Sequence, residues 1–323
     1  MTPPSGPLRP TALQAGDTVV VAALSGGLEE GERAVFDDGM TALQGAGFTV
    51  QVSPLVELGR HDWWSAGRPD EIAAELNRLL ADPQVRGIWA LTGGRTTFSY
   101  LDLVDLDAVR ADPKPVIGFS DINGLQLALS ARTGLVTIHG DVVIHGLGYR
   151  HELPEPDRSR LADAYWRVLT STEAAGALPV HDAAETWRAG RADGPLLGGL
   201  LNRIVRLQGT PFALPSERFD GAVLFLEEVG ATTSGLWNDL HVLRLAGLLD
   251  RISGVVFGPT STVEVTEGGP GVREVLLDVV RDVPVLGNVN IGHEPPNLPL
   301  PVGVRAALDA EARTLALLEP AVR

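Results

Sequence analysis

The stretch "GIWALTGGRTTFSYLDL", residues 87–103, decides how this chain is read. A short apolar run ends in the glycine pair Gly93–Gly94, and a hydroxyl-bearing corner with Thr96, Thr97 and Ser99 leads toward a helix. A buried strand that breaks at glycine and feeds a helix is the repeating unit of a parallel α/β sheet. The flanking segments follow the same rule. Before it lies "RPDEIAAELNRLLADPQV" (68–85), an amphipathic helix with Pro69 near its start and Asp70 and Glu71 in its first turn. After it come the strand "PVIGFSD" (115–121) and the helix "INGLQLALSART" (122–133), which stops at Gly134.

Upstream, "GDTVVVAALS" (16–25) predicts the opening strand and "EEGERAVFDDGMTALQGAG" (29–47) the first helix. "FTVQVSP" (48–54) predicts a second strand. The expected N-terminal domain, residues 1–150, is therefore a parallel-sheet, flavodoxin-like α/β unit. A charged connecting helix, "RHELPEPDRSRLADAYWRVL" (150–169), begins a linking segment, 151–185. The rest, 186–323, predicts a β-rich α/β domain with strands in "GAVLFLEEV", "ISGVVFGP" and "VPVLGNV" and a closing hairpin in "VGVRAALDAEARTLALL". A site at the interface of the two domains is expected.

Bulk properties remove several classes of function. A net charge of −15 disfavours a nucleic-acid footprint and binding to anionic membranes. With no cysteine there is no disulfide, thiolate nucleophile or thiolate metal site. The proline-rich opening "MTPPSGPLRPTAL" lacks an apolar core, and no apolar run approaches the roughly 18 residues that span a bilayer, so a cytoplasmic protein is expected. A homodimer is the default for a soluble enzyme of this kind.

Ligands of open parallel sheets gather at the strand C-termini, here "TGGRTT" and "GFSD". Bare N–H groups at Gly93 and Gly94 suit either a tight turn or an oxyanion. Ser120 and Asp121 read as an N-cap for the helix from Ile122, which would also stiffen a site. In "FLEEVG", Glu227 and Glu228 follow an apolar strand, and alternation lets only one face a cleft. His293 sits in the Gly/Pro-rich loop "NIGHEPPNLPLPVG", open to solvent and substrate. His139 and His145, in "TIHGDVVIHG", match no standard metal spacing and read as structural histidines. "RHDWW" (60–64) offers an aromatic pair, either packing or the rim of a cleft.

Several stretches in order resemble the LD-carboxypeptidase family of serine peptidases, which includes the microcin C immunity proteins. They are "GDTVVVAALS", "SAGRPDEIAAELNRLLADPQVRGIWALTGG", "DAVRADPKPVIGFSDINGLQLAL" with "TGLVTIHG", "GPLLGGLLNRIVRLQGTP", "GAVLFLEEVG" and "VPVLGNVNIGHEPPNLPLPVG". The likeness spans nearly the whole chain. It implies amide hydrolysis by acyl transfer, with His293 as base, Glu227 as its orienting carboxylate and Glu228 at the family's Asp. The register places Thr97 at the nucleophile and Leu200 where asparagine is usual. N–H groups near Gly94 and Phe98 would hold the oxyanion. Gly93, Arg95, Ser120 and Asp121 are expected in support or substrate binding, Arg95 as a carboxylate partner.

The implied substrate is a muropeptide cut at an L,D bond to release D-alanine, or an acylated nucleotide antibiotic, with no metal or organic cofactor. A threonine on a strained elbow is sterically disfavoured and stiff at χ1. The alternatives are therefore attack by Ser99 or Ser120, or an impaired homologue that binds a peptide or nucleotide without efficient turnover.

Overall fold

A computed structural model describes residues 6–58, 63–294 and 296–323. The opening run of β-branched residues forms β1 (Thr18–Ala22), whose last four residues are buried. It is followed by β2 (Thr49–Val52), β3 (Gly87–Ala90), β4 (Val116–Gly118) and β5 (Ile138–His139). These five lie parallel in the order β2-β1-β3-β4-β5, the flavodoxin-like arrangement. Helices Arg33–Gly45 and Pro69–Ala81 supply crossovers, each with a buried apolar stripe.

The second sheet contains β6 (Gly176–Ala177), β7 (Glu185–Arg188), β8 (Arg191–Leu200), β9 (Val223–Glu227), β10 (Gly254–Phe257) and β11 (Val285–Gly287). The chain then returns to the first sheet as β12 (Leu300–Pro301), antiparallel to β5. It finishes as the hairpin of β13 (Arg305–Asp309) and β14 (Thr314–Leu317). The second sheet runs β6-β14-β13-β8-β9-β10-β11-β7, parallel from β8 to β11 and antiparallel at both flanks. This is a two-domain α/β architecture. The linking segment supplies the helix Asp157–Thr170 and also strand β6.

Helix Ile122–Thr133 joins the halves. All its residues except Arg132 are buried, because it is packed between its own sheet and the helix Leu201–Leu207. An element apolar or small on every side belongs in such a position. Its buried Asn123 donates 3.3 Å to Gly198 O at the end of β8. The C-terminal ends of β1, β3, β4 and β9 thereby face one cleft.

Candidate active site

The cleft, about 420 Å³, is lined by Ser120 and His293, by Thr92, Gly93 and Gly94 after β3, and by Glu29, Glu32, Trp63, Trp64 and His145 among others. Residues 60–62 of the "RHDWW" stretch lie outside the described residues.

Ser120 follows β4 with φ +62°. A non-glycine residue in the left-handed region costs about 1–3 kcal/mol and persists where surroundings hold it. This sharp corner lifts the Ser120 hydroxyl into the cleft, where Oγ lies 2.9 Å from His293 Nε2. His293 Nδ1 lies 2.7 Å from Glu227 Oε2. A neutral imidazole protonated at Nδ1 donates to the carboxylate and accepts the serine proton at Nε2. Phe119 meets the His293 ring edge-on at 4.9 Å and limits its tilt.

Two glycines are required by close approach. A Cβ on Gly93 would stand 2.7 Å from Ser120 Oγ. A Cβ on Gly292 (φ +97°) would stand 2.5 Å from Glu227 Oε2, so only glycine lets the His293 loop approach that carboxylate.

The register-based expectation for Thr97 is corrected here. Thr97 is fully buried, and its hydroxyl donates 3.0 Å to Asp121 O rather than facing His293. Ser99 is exposed, and its hydroxyl donates 2.7 Å to Thr96 O rather than to His293. The physical reason lies in the two corners. The chain after β3 takes its left-handed step at Gly94 (φ +146°), leaving the threonines in ordinary backbone, whereas the step after β4 falls on a serine. Phe98, the other expected oxyanion neighbour, sits in the short turn Thr97–Ser99 with its ring against Gly124, away from the cleft lining. Arg95 is exposed and outside the lining.

Asp121 does not cap the helix with its side chain. Its Oδ2 instead accepts from Ser25 Oγ (2.7 Å), Thr96 N (2.6 Å) and Thr97 N (2.9 Å), and Oδ1 accepts from Arg203 Nε (2.8 Å). Arg203 also donates to Gly94 O at 3.3 Å and to Asn202 Oδ1 at 2.6 Å. Burial draws the Arg203 guanidinium below its ordinary value, and Asp121 opposes that shift. This buried pair ties the elbow, the β3 corner and the second domain together. Neither Ser25 nor Arg203 was expected from sequence. Both lie in stretches that resemble the family, yet nothing local marks an arginine as buried.

The adjacent carboxylates part as strand alternation requires. Glu228 accepts from Asn202 N (3.1 Å), Asn202 Nδ2 (2.9 Å) and Val229 N (2.9 Å), and burial raises its pKa. It therefore supports the helix start beside Leu200, which is itself buried. His139 is fully buried between Phe119 and Phe225, and burial lowers its pKa to about 3. His145 lies 3.1 Å from Thr92 Oγ1 through Nδ1 and 3.7 Å from Glu32 through Nε2. No group of three or more metal-ligating side chains occurs among the described residues. No helix among them is long and apolar enough to cross a membrane.

The doubly wound sheet thus brings a hydroxyl, an imidazole and a carboxylate into one hydrogen-bonded series at its strand ends. The chain belongs to the LD-carboxypeptidase family: residues 19–140 match its N-terminal domain and 193–308 its C-terminal domain. A Streptomyces coelicolor protein named as a carboxypeptidase is 36% identical over 98% of this chain and 97% of its own length. The Escherichia coli microcin C7 self-immunity protein MccF is 26% identical, covering 98% and 97%. A structure of MccF with glutamyl sulfamoyl guanosine superposes with a TM-score of 0.88 at 25% identity, covering 98% of this chain and all of that one. A murein tetrapeptide carboxypeptidase of Pseudomonas aeruginosa is 28% identical over 78% of this chain and 83% of its own.

Proposed function

We propose that this protein is a serine-type amide hydrolase in which Ser120 is the nucleophile, His293 the general base and acid, and Glu227 the carboxylate that orients it. The observation that carries this reading is the unbroken series from Ser120 Oγ through His293 to Glu227, launched from a left-handed elbow. Ser120 Oγ attacks the amide carbonyl carbon while its proton passes to His293 Nε2. His293 then gives that proton to the leaving amine as the C–N bond breaks. Water, deprotonated by the same imidazole, hydrolyses the acyl-serine. Glu227 holds the Nδ1 tautomer and stabilises the imidazolium.

The oxyanion falls to the N–H of Asp121, the residue after the nucleophile, together with the N–H groups of the Gly93–Gly94 corner. The alternative, an impaired homologue that binds a peptide or nucleotide without efficient turnover, is argued from threonine at the elbow, and Ser120 beside His293 supports the active reading instead. Names of relatives support two substrate classes, an L,D-muropeptide releasing D-alanine and an acylated nucleotide conjugate such as an aminoacyl sulfamoyl adenosine. A cytoplasmic homodimer is the accompanying proposal, testable by light scattering.

The test is incubation of the purified protein with a muropeptide tetrapeptide and with an aminoacyl sulfamoyl adenosine, followed by mass spectrometry. Release of D-alanine or of the free amino acid is expected, and Ser120→Ala should abolish it. Undiminished turnover by Ser120→Ala would refute the assignment.

A further inference from the structure

We propose that the cleft beside Ser120 selects amide substrates bearing a cationic side chain, an ammonium or guanidinium, seated among Trp63, Trp64, Glu29 and Glu32. This deepens the hydrolase reading and rests on it for the cleft's identity.

Two indole rings stand at the cleft with centroids 5.3 Å apart and planes tilted by 40°. They are 83% and 63% exposed, so protein covers little of their faces. Exposed paired aromatic surface beside a nucleophile is ligand-binding surface. The face of an indole carries negative quadrupole potential and attracts a cation placed over it.

The same cleft carries carboxylates of the same sign. Glu29 and Glu32 line it, and Glu32 is held in place by accepting the Glu29 N–H at 3.1 Å. Among the described lining residues there is no lysine or arginine; the basic groups are His145, beside Glu32, and the catalytic His293. Of the arginines near the elbow, Arg203 is committed to Asp121 and Gly94, and Arg95 is exposed outside the lining. A carboxylate or phosphate entering this cleft meets two like charges and two repelling ring faces. A cation meets carboxylates and ring faces of favourable sign in the same cleft. The chain's net charge of −15 adds a long-range field of the same preference.

The experiment uses matched ligands that differ only in one side chain, lysine, norleucine or glutamate. One series is N-acetyl-X-D-alanine and the other X-sulfamoyl adenosine. Affinity is measured calorimetrically on Ser120→Ala protein, and kcat/KM on the parent. In binding, lysine should exceed norleucine by roughly tenfold and glutamate should be weakest. Trp64→Ala, and the pair Glu29→Gln with Glu32→Gln, should each pull the lysine-to-norleucine ratio toward one. A folding defect lowers both ligands together, so the ratio separates the two effects.

Equal or inverted affinities in both series, or a ratio untouched by these variants, would overturn the proposal. Lysine preference in binding without turnover of either series on the parent would refute the hydrolase reading and leave this one standing.

Discussion

Two corners of the first sheet differ in one residue's backbone. After β3 the chain turns at Gly94 with φ +146°, and the Thr97 and Ser99 hydroxyls that follow donate to backbone carbonyls. After β4 the chain turns at Ser120 with φ +62°, and that hydroxyl reaches His293. Where glycine absorbs the left-handed step, strain vanishes and the corner is free to bind backbone-first. Where serine absorbs it, the strain accompanies a hydroxyl aimed at His293. The two corners are tied together by Asp121, which follows Ser120 in the chain and accepts from Thr96 N and Thr97 N after β3.

The sharpest way to break this comparison is to delete each hydroxyl in turn. Ser120→Ala should lower kcat by at least about 10⁴-fold, the scale seen when a triad nucleophile is lost. Ser120→Thr should also fall steeply, because a β-branched residue resists positive φ. Thr97→Val keeps the shape and removes one hydrogen bond, which contributes about 1 kcal/mol of stability. Turnover should then change by less than about tenfold. If Thr97→Val were dead and Ser120→Ala active, the roles of the corners would be reversed.

Next in size is the tie between them. Arg203→Met leaves Asp121 buried with its charge unpaired, a loss of about 3–5 kcal/mol in stability by urea unfolding. Because Arg203 also holds Gly94 O, kcat should drop more than KM rises, and Arg203→Lys should restore stability better than turnover. Equal effects of Met and Lys on both quantities would mean the contact is merely structural.

Most of the first sheet was legible because its strands are short β-branched or apolar runs closed by glycine, and its helices carry stripes. Glu227 and His293 were singled out through the resemblance to the family; type and surroundings alone, a carboxylate pair ending a buried strand and a histidine in a glycine-flanked loop, left open which carboxylate faces the cleft and whether the histidine joins it. The register pointed to Thr97, whereas the hydroxyl that meets His293 belongs to Ser120, and the difference has a physical reason. Hydroxyls after a glycine pair and a hydroxyl after "GF" look alike in one dimension, and only φ tells which is lifted. Gly118-Phe119-Ser120 was the available signal, since a small residue two positions before a serine permits a tight strand-to-helix turn. A Cβ on Gly118 would sit 3.0 Å from both Ala90 Cβ and Ile122 Cγ2. Arg203 was hidden because its charge reads as a solvated helix face until Asp121 is brought to it from 82 residues away.

The smallest expected effect lies beneath the elbow, at His139. Its ring stacks edge-on with Phe119 and Phe225, both nitrogens are buried without a partner among the described residues, and burial with nearby His293 lowers its pKa to about 3. An unfolded histidine titrates near 6.5. Between those values the unfolded chain binds more protons than the folded one, so stability from this residue is complete above about pH 6.5. It is lost progressively as pH falls toward 3. Urea unfolding across pH 4.5 to 7 should therefore show a rise of about 2–3 kcal/mol attributable to one group. His139→Leu, close in volume and without polar atoms, should remove that slope while leaving Ser120 and His293 paired. An unchanged slope would place the titration elsewhere. A collapse of kcat in His139→Leu at pH 7, with stability intact, would instead mean that the neutral ring supports Phe119, and through it the imidazole that the comparison assigns to the β4 corner alone.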